Sequence, residues 1–208
     1  MSLAPETLYA LLALTTLTSI MLAIACIRLW QGKRTLLASQ EAERGLDPLT
    51  GVWNRLRFME LAERELNHVQ RTGRSAAALI VDLDHGMHIN EEYGHLGGDK
   101  AVQFLARCAQ DTIRDYDLLA RYSGEELVML LPDTTAEGAE AVARRLRDAI
   151  AAEDVTLENG KHFLITVTIG IAAVSRETDT LDDLLLAADT ALREAKTQGH
   201  NRTAVQSV

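Results

Sequence analysis

The chain has 208 residues and a formal net charge of −9, with 30 acidic against 21 basic side chains. That balance excludes a broad nucleic-acid-binding face, which needs clustered Lys and Arg to displace counterions from phosphates, so any nucleotide is held locally. The two cysteines, Cys26 and Cys108, have no neighbour at metal-ligand spacing, and neither a disulfide scaffold nor a zinc site is implied.

From Thr7 to Ile27 there is no charged residue. At ~1.5 Å per residue such a run crosses a ~30 Å hydrocarbon layer, and residues 1–30 are expected to form a transmembrane anchor. A cleaved signal peptide would carry a cationic start, whereas only Glu6 precedes the run. Arg28, Lys33 and Arg34 follow it, which by the positive-inside rule leaves the short N-terminus outside and the rest cytoplasmic, as for a single-pass protein of a bacterial inner membrane. Residues 31–46, charged and helix-prone, read as a stalk or linker.

Gly45 to Pro48 breaks the helical pattern, and a domain is expected over residues 47–208. Asn54 to Arg71 has the apolar spacing of an amphipathic helix, ended by Gly73. Ala76 to Leu83 is a short apolar run with the character of a buried strand. Gly98 to Ile113 reads as a helix, and Leu118 to Tyr122 and Glu126 to Leu131 as strands of a β-hairpin with Ser123 to Glu125 at its tip, where Gly124 gives the turn its freedom. Thr135 to Ala152 is a helix, Phe163 to Ala172 a strand, and Leu181 to Gln198 a helix stopped by Gly199. This order predicts a ferredoxin-like α+β fold, an antiparallel-containing sheet with flanking helices on one face.

The chemistry lies in the carboxylates. The two-residue period of a strand places Asp82 and Asp84 on one face, and Glu125 and Glu126 stand at the hairpin tip. If the hairpin pairs beside that strand, three or four carboxylates converge, a hard oxygen set suited to magnesium and a phosphorylated substrate. Solvated loop acids are the plain alternative, since most Asp and Glu are exposed.

In their order, several separated segments resemble the GGDEF family of diguanylate cyclases. They are Asp47-Pro-Leu-Thr-Gly-Val-Trp-Asn-Arg55; Asp82-Leu-Asp84 followed by Asn90, Gly94-His95 and Gly98-Asp99; Arg121-Tyr-Ser-Gly-Glu-Glu-Leu127; Val167-Thr-Ile-Gly-Ile171; and Ala188-Asp-Thr-Ala-Leu192 with Ala195-Lys196 and Gly199-His-Asn-Arg202. The resemblance implies condensation of two GTP molecules to cyclic di-GMP across a homodimer. By position it implies that Asp82, the Leu83 carbonyl and Glu125 hold Mg2+, or Mn2+ in its place. Glu125 also takes the proton of the attacking 3′-hydroxyl, with Glu126 beside it in the catalytic pair. Asn90, His95 and Asp99 are implied as nucleotide contacts, the first and last reading guanine, and Lys196 as a phosphate contact. Arg114 and Asp117 match the family's R-x-x-D product-inhibition site, with Arg145 as its secondary arginine. The implied partners are GTP, cyclic di-GMP, the membrane through residues 7–27 and a further protein, without nucleic acid.

The sequence departs from the family pattern at named positions. Ser123 and Leu127 replace glycine and phenylalanine in the signature; serine is small and leucine apolar, so the turn and the packing are expected to survive. Gly86 and Met87 stand where the family usually has Phe-Lys, and His200 where an arginine is frequent. Losing a charged phosphate contact typically costs on the order of 10²-fold in rate, so a slow cyclase is implied, or a degenerate domain that acts as a receptor for cyclic di-GMP or GTP.

Overall fold

The computed structural model describes residues 45–174 and 180–206, together with Met21, Leu22 and Arg28. The expected anchor over residues 7–27 and stalk over 31–46 fall almost wholly outside the described residues, among which no helix is long and apolar enough to cross a membrane. A separate unit starts at Gly45 and carries the sheet and its helices.

After the two-residue strand β1 (Trp53–Asn54), helix α1 (Arg55–Thr72) starts where the Asn54 side chain accepts the Arg57 N–H at 2.9 Å, satisfying one of the free donors of the first turn. It ends at Gly73, whose φ of 67° lets its N–H return to the Val69 carbonyl, a cap that a Cβ would strain. Phe58, Ala62, Leu66 and Val69 recur at helical spacing between the two ends and are buried. There follow β2 (Ala76–Leu83), α2 (Gly86–Thr112), β3 (Leu118–Arg121), β4 (Glu126–Pro132), α3 (Ala136–Ala151), β5 (Val155–Thr156), β6 (His162–Phe163), β7 (Val167–Ala173), α4 (Leu181–Thr197) and β8 (Thr203–Gln206). A reciprocal capping box starts α4: the Asp183 N–H donates to Thr180 Oγ1 and the Thr180 N–H to the Asp183 carboxylate, each at 3.1 Å.

The main sheet is mixed, in the order β1-β3-β4-β2-β7-β8. The central strand β2 is antiparallel to both β4 and β7, while β1 runs parallel to β3 and β8 parallel to β7. Ala76, Ala78 and Ile80 of β2 pack with α1 and α4, and Ala77, Leu79, Val81 and Leu83 with α2 and α3. Helices therefore cover both faces, not the one face expected from element order. A strand apolar at both parities exposes a hydrophobic row on either side, and each row needs cover.

The helix expected over Gly98 to Ile113 begins much earlier, at Gly86. Gly94, at φ 72° and ψ 173°, breaks its regular backbone, so the apolar positions before and after it do not share one phase. Strands β1, β5, β6 and β8, two to four residues each, are too short to leave a period in the sequence.

Candidate active site

Three elements meet where β2 ends. In register, Asp82 stands opposite Glu126 of β4 on one side and Thr168 of β7 on the other. One residue on, the Leu83 N–H donates to the Glu125 carbonyl at 3.3 Å, so the strand end and the hairpin tip are joined through the backbone. Helix α2 starts three residues beyond, and the last turn of α4 reaches the same place through Lys196.

The side chains at this junction are each engaged within the chain. Lys196 Nζ lies 2.8 Å from Asp82 Oδ1. Burial pushes the Asp82 carboxyl above the ordinary range, and the nearby charges of Glu126 and Asp84 add to that rise, outweighing the lowering by Lys196. The Glu126 carboxylate accepts the Ser123 hydroxyl at 2.5 Å. Glu125 is turned toward α2, where Asn90 Nδ2 donates to its Oε1 at 3.2 Å. Asp84 is 3 % exposed and accepts three donors: the Thr166 hydroxyl at 2.7 Å, the Thr168 hydroxyl at 2.6 Å and the Asn201 N–H at 2.9 Å.

The expected convergence of three or four carboxylates is corrected by this arrangement. Among the described residues no group of three or more His, Cys, Asp or Glu side chains is placed to hold a metal. Asp84 leaves the set because both its oxygens are taken up by donors from the two threonines and from the loop after α4, which satisfy this buried side chain within the fold.

A smaller oxygen set still fits magnesium. Asp82 and Glu125 with the Leu83 carbonyl offer hard donors from two hydrogen-bonded segments, and Mg2+ takes few protein ligands because it keeps waters and substrate phosphates. Lys196 places one positive charge against the Asp82 carboxylate at 2.8 Å.

Of the residues expected to meet a nucleotide, Asn90 reaches this junction through Glu125. Asn90 lies on α2 before the break at Gly94, and His95 and Asp99 lie beyond it, both exposed. His85 precedes α2 at φ 58°, and its ring lies 4.5 Å from that of His200. Met87 is 76 % exposed, so the place where the family pattern has lysine opens to solvent.

A second cluster sits at the far end of α2. The Asp117 carboxylate accepts the Arg114 N–H at 2.9 Å, and Arg145 of α3 donates to the Thr112 carbonyl at 3.1 Å. Burial raises the Asp117 carboxyl above the ordinary range, outweighing the Arg114 N–H hydrogen bond and the charges of Arg114 and Arg145, which lower it. Arg114 Nη1 also donates to the Tyr116 hydroxyl at 2.7 Å.

Two structural ties and one close approach have partners that the sequence does not reveal. Arg121 pairs with Asp47 at 3.3 Å and donates to the Gly124 carbonyl at 2.7 Å, fastening the hairpin tip to the opening loop of the domain. Arg147 of α3 donates to the Asn201 carbonyl at 2.6 Å. A Cβ at Gly86 would lie 1.7 Å from Glu125 Oε2. Asp47, Arg121 and Asn201 lie in the segments that match the family and Gly86 is an unusual residue in one of them, whereas Arg147 left no signal in the sequence.

These features define the class first: a mixed-sheet α+β domain whose polar residues gather at the end of its central strand. The chain belongs to the GGDEF family, whose sequence profile, "Diguanylate cyclase, GGDEF domain", matches residues 45–202. Over 182 residues, 85% of this chain and 48% of the relative, it is 31% identical to "Probable diguanylate cyclase DgcC" of Escherichia coli strain K12. Over 169 residues it is 36% identical to the diguanylate cyclase DgcP of Pseudomonas aeruginosa, covering 81% of this chain and 25% of that one. The chain thus spans half or less of these curated relatives. Its fold is similar to the GGDEF domain of DgcB from Caulobacter crescentus, solved in complex with c-di-GMP, with a TM-score of 0.76, 24% identity and coverage of 79% of this chain and 94% of that one.

Proposed function

We propose that this chain is a membrane-anchored diguanylate cyclase that condenses two GTP molecules to cyclic di-GMP as a homodimer, at a reduced rate and with product inhibition. The observation that carries the reading is the joining of the Asp82–Leu83 strand end to Glu125, with Lys196 on Asp82, inside a chain of the GGDEF family. Asp82, the Leu83 carbonyl and Glu125 would hold the magnesium, which when bound lowers the pKa of a coordinated hydroxyl and neutralises phosphate charge. Glu125 is the group to take the 3′-hydroxyl proton, with Glu126 next to it. Asn90 and Asp99 offer acceptors to the guanine N1 and N2 donors, His95 stands at a further nucleotide contact, and Lys196 turns from Asp82 to the phosphates. The uncharged run Thr7 to Ile27 supports the inner-membrane anchor with this domain in the cytoplasm, where a partner protein can reach it.

Turnover of GTP by the full chain, compared with a Met87→Lys variant, tests the rate. The exposed position 87 is expected to accept lysine without loss of stability, and the variant to make cyclic di-GMP about tenfold faster or more. An unchanged rate would remove Met87 as the cause of slow turnover.

The missing charge at Met87 also favours a second reading, in which the domain serves mainly as a cyclic di-GMP receptor through Arg114, Asp117 and Arg145. Both readings predict that Arg114→Ala weakens cyclic di-GMP binding about tenfold or more, because a guanidinium gives a phosphate two charge-assisted hydrogen bonds. Calorimetry measures this, and equal affinity in wild type and variant would rule the site out. Binding with no turnover selects the receptor.

A further inference from the structure

Helix α2 begins with an electrostatic vacancy of its own: His85 gives it no side-chain cap, and its first turn contains no acidic residue. Helix N-termini attract negative charge, and here the charge comes from the distant hairpin tip. A Cβ built on Gly86 would lie 1.7 Å from Glu125 Oε2, 2.2 Å from its Cδ and 2.5 Å from its Oε1. The carboxylate therefore fills the volume that any other side chain at position 86 would take.

Asn90, one turn further along α2, holds the carboxylate there through its Nδ2 at 3.2 Å. Asn90 is itself closely seated, since a Cβ at Gly98 would come within 2.3 Å of its Oδ1. Asp82, the other acid of the site, is neutralised by Lys196 at 2.8 Å. Each of the two acids thus has a partner within the chain.

We infer that Gly86 is a positioning residue for Glu125: it opens a resting seat on the N-terminus of α2 where Asn90 holds Glu125, and which Glu125 must leave before it can hold a cation with Asp82. The inference rests on the magnesium-dependent reading above. It adds a coupling, because the amide that holds Glu125 at rest is the one proposed to read the base. A cation that draws Glu125 away frees Asn90, so cation and base favour one another's binding even without a phosphate between them.

Gly86→Ala blocks the seat, and the atoms it displaces are the free end of the Glu125 side chain, which can rotate away without disturbing the fold. Asn90→Ala removes the amide that holds Glu125 in it. The test is Mn2+ binding to the nucleotide-free full chain, followed by the paramagnetic resonance of the free ion. Each variant is expected to bind Mn2+ roughly three- to tenfold more tightly than wild type, the net worth of one ordinary intramolecular hydrogen bond. A merely structural role for Asn90 would leave metal affinity equal or lower, so tighter binding on losing a base-reading residue marks the seat. Should Gly86→Ala fail to fold, Asn90→Ala carries the comparison alone. Equal or weaker binding in the folded variants, or no Mn2+ bound by any of the three proteins, overturns the inference. Tighter Mn2+ binding in a chain that makes no cyclic di-GMP would keep the seat and discard the cyclase. Equal affinities in a chain that does make it would do the reverse.

Discussion

Replacing Asp82 with asparagine is expected to lower cyclic di-GMP formation by about two orders of magnitude or more, the usual cost of removing one preorganised charge from a reacting centre. The substitution keeps the shape of the side chain and removes the negative charge that Lys196 meets at 2.8 Å. Stability should hardly change, because burial raises the Asp82 carboxyl and the ionised form is therefore disfavoured in the fold, an expense that a neutral amide avoids. Lys196, in the last turn of α4, keeps the favourable field of the helix C-terminus when its partner is lost. Turnover measured beside a thermal melt separates the two effects. A variant with wild-type turnover would show that the reaction does not use this carboxylate, and one that melts far below wild type would show that Asp82 is structural.

The second large effect falls on the fold. Gly170→Ala is expected to destabilise the domain by about 3 kcal/mol, the upper end of ordinary overpacking. A Cβ there would lie 2.1 Å from the Ala188 carbonyl oxygen and 2.3 Å from the Leu192 nitrogen. Both are backbone atoms of α4, held on either side of the new methyl, so the helix must lift from β7 as a body. The contrast with Gly86 is instructive: the clash there is shorter, yet it is with the end of a rotatable side chain. Urea midpoints measure the difference. An unchanged midpoint for Gly170→Ala would mean that α4 is not seated on the β7 backbone. Because Lys196 rides on α4, the same variant should also lose activity in proportion to its unfolded fraction.

The core of this fold was legible where the local pattern and the tertiary demand agree. Ala76 to Leu83 is apolar at both parities and becomes the central strand; Asn54 and Gly73 bracket α1; Ser123 to Glu125 is the hairpin tip between β3 and β4. The second helical layer was misread because an apolar run shows that both faces are covered without showing by what. The early start of α2 was hidden by Gly86 and Gly94, residues with low helix propensity at the first turn and at the break. At the site, the sequence spacing located Asp82 and Glu125 at one junction but not the direction of their side chains. Asp84 shares strand parity with Asp82, yet the hydroxyls of Thr166 and Thr168 and the Asn201 N–H hydrogen-bond its carboxyl group from segments 82 to 117 residues away in sequence. No period within a single strand encodes such partners.

One measurement bears most directly on the central claim, that the end of β2 and the β3–β4 turn together hold a cation for GTP chemistry. The purified full chain is incubated with GTP and Mg2+, in parallel with the Asp82→Asn variant, and the nucleotides are separated by chromatography. Cyclic di-GMP and pyrophosphate should accumulate in a magnesium-dependent manner with wild type and stay near background with the variant. Product formed equally by both proteins, or by neither under conditions where wild type binds GTP, would contradict it.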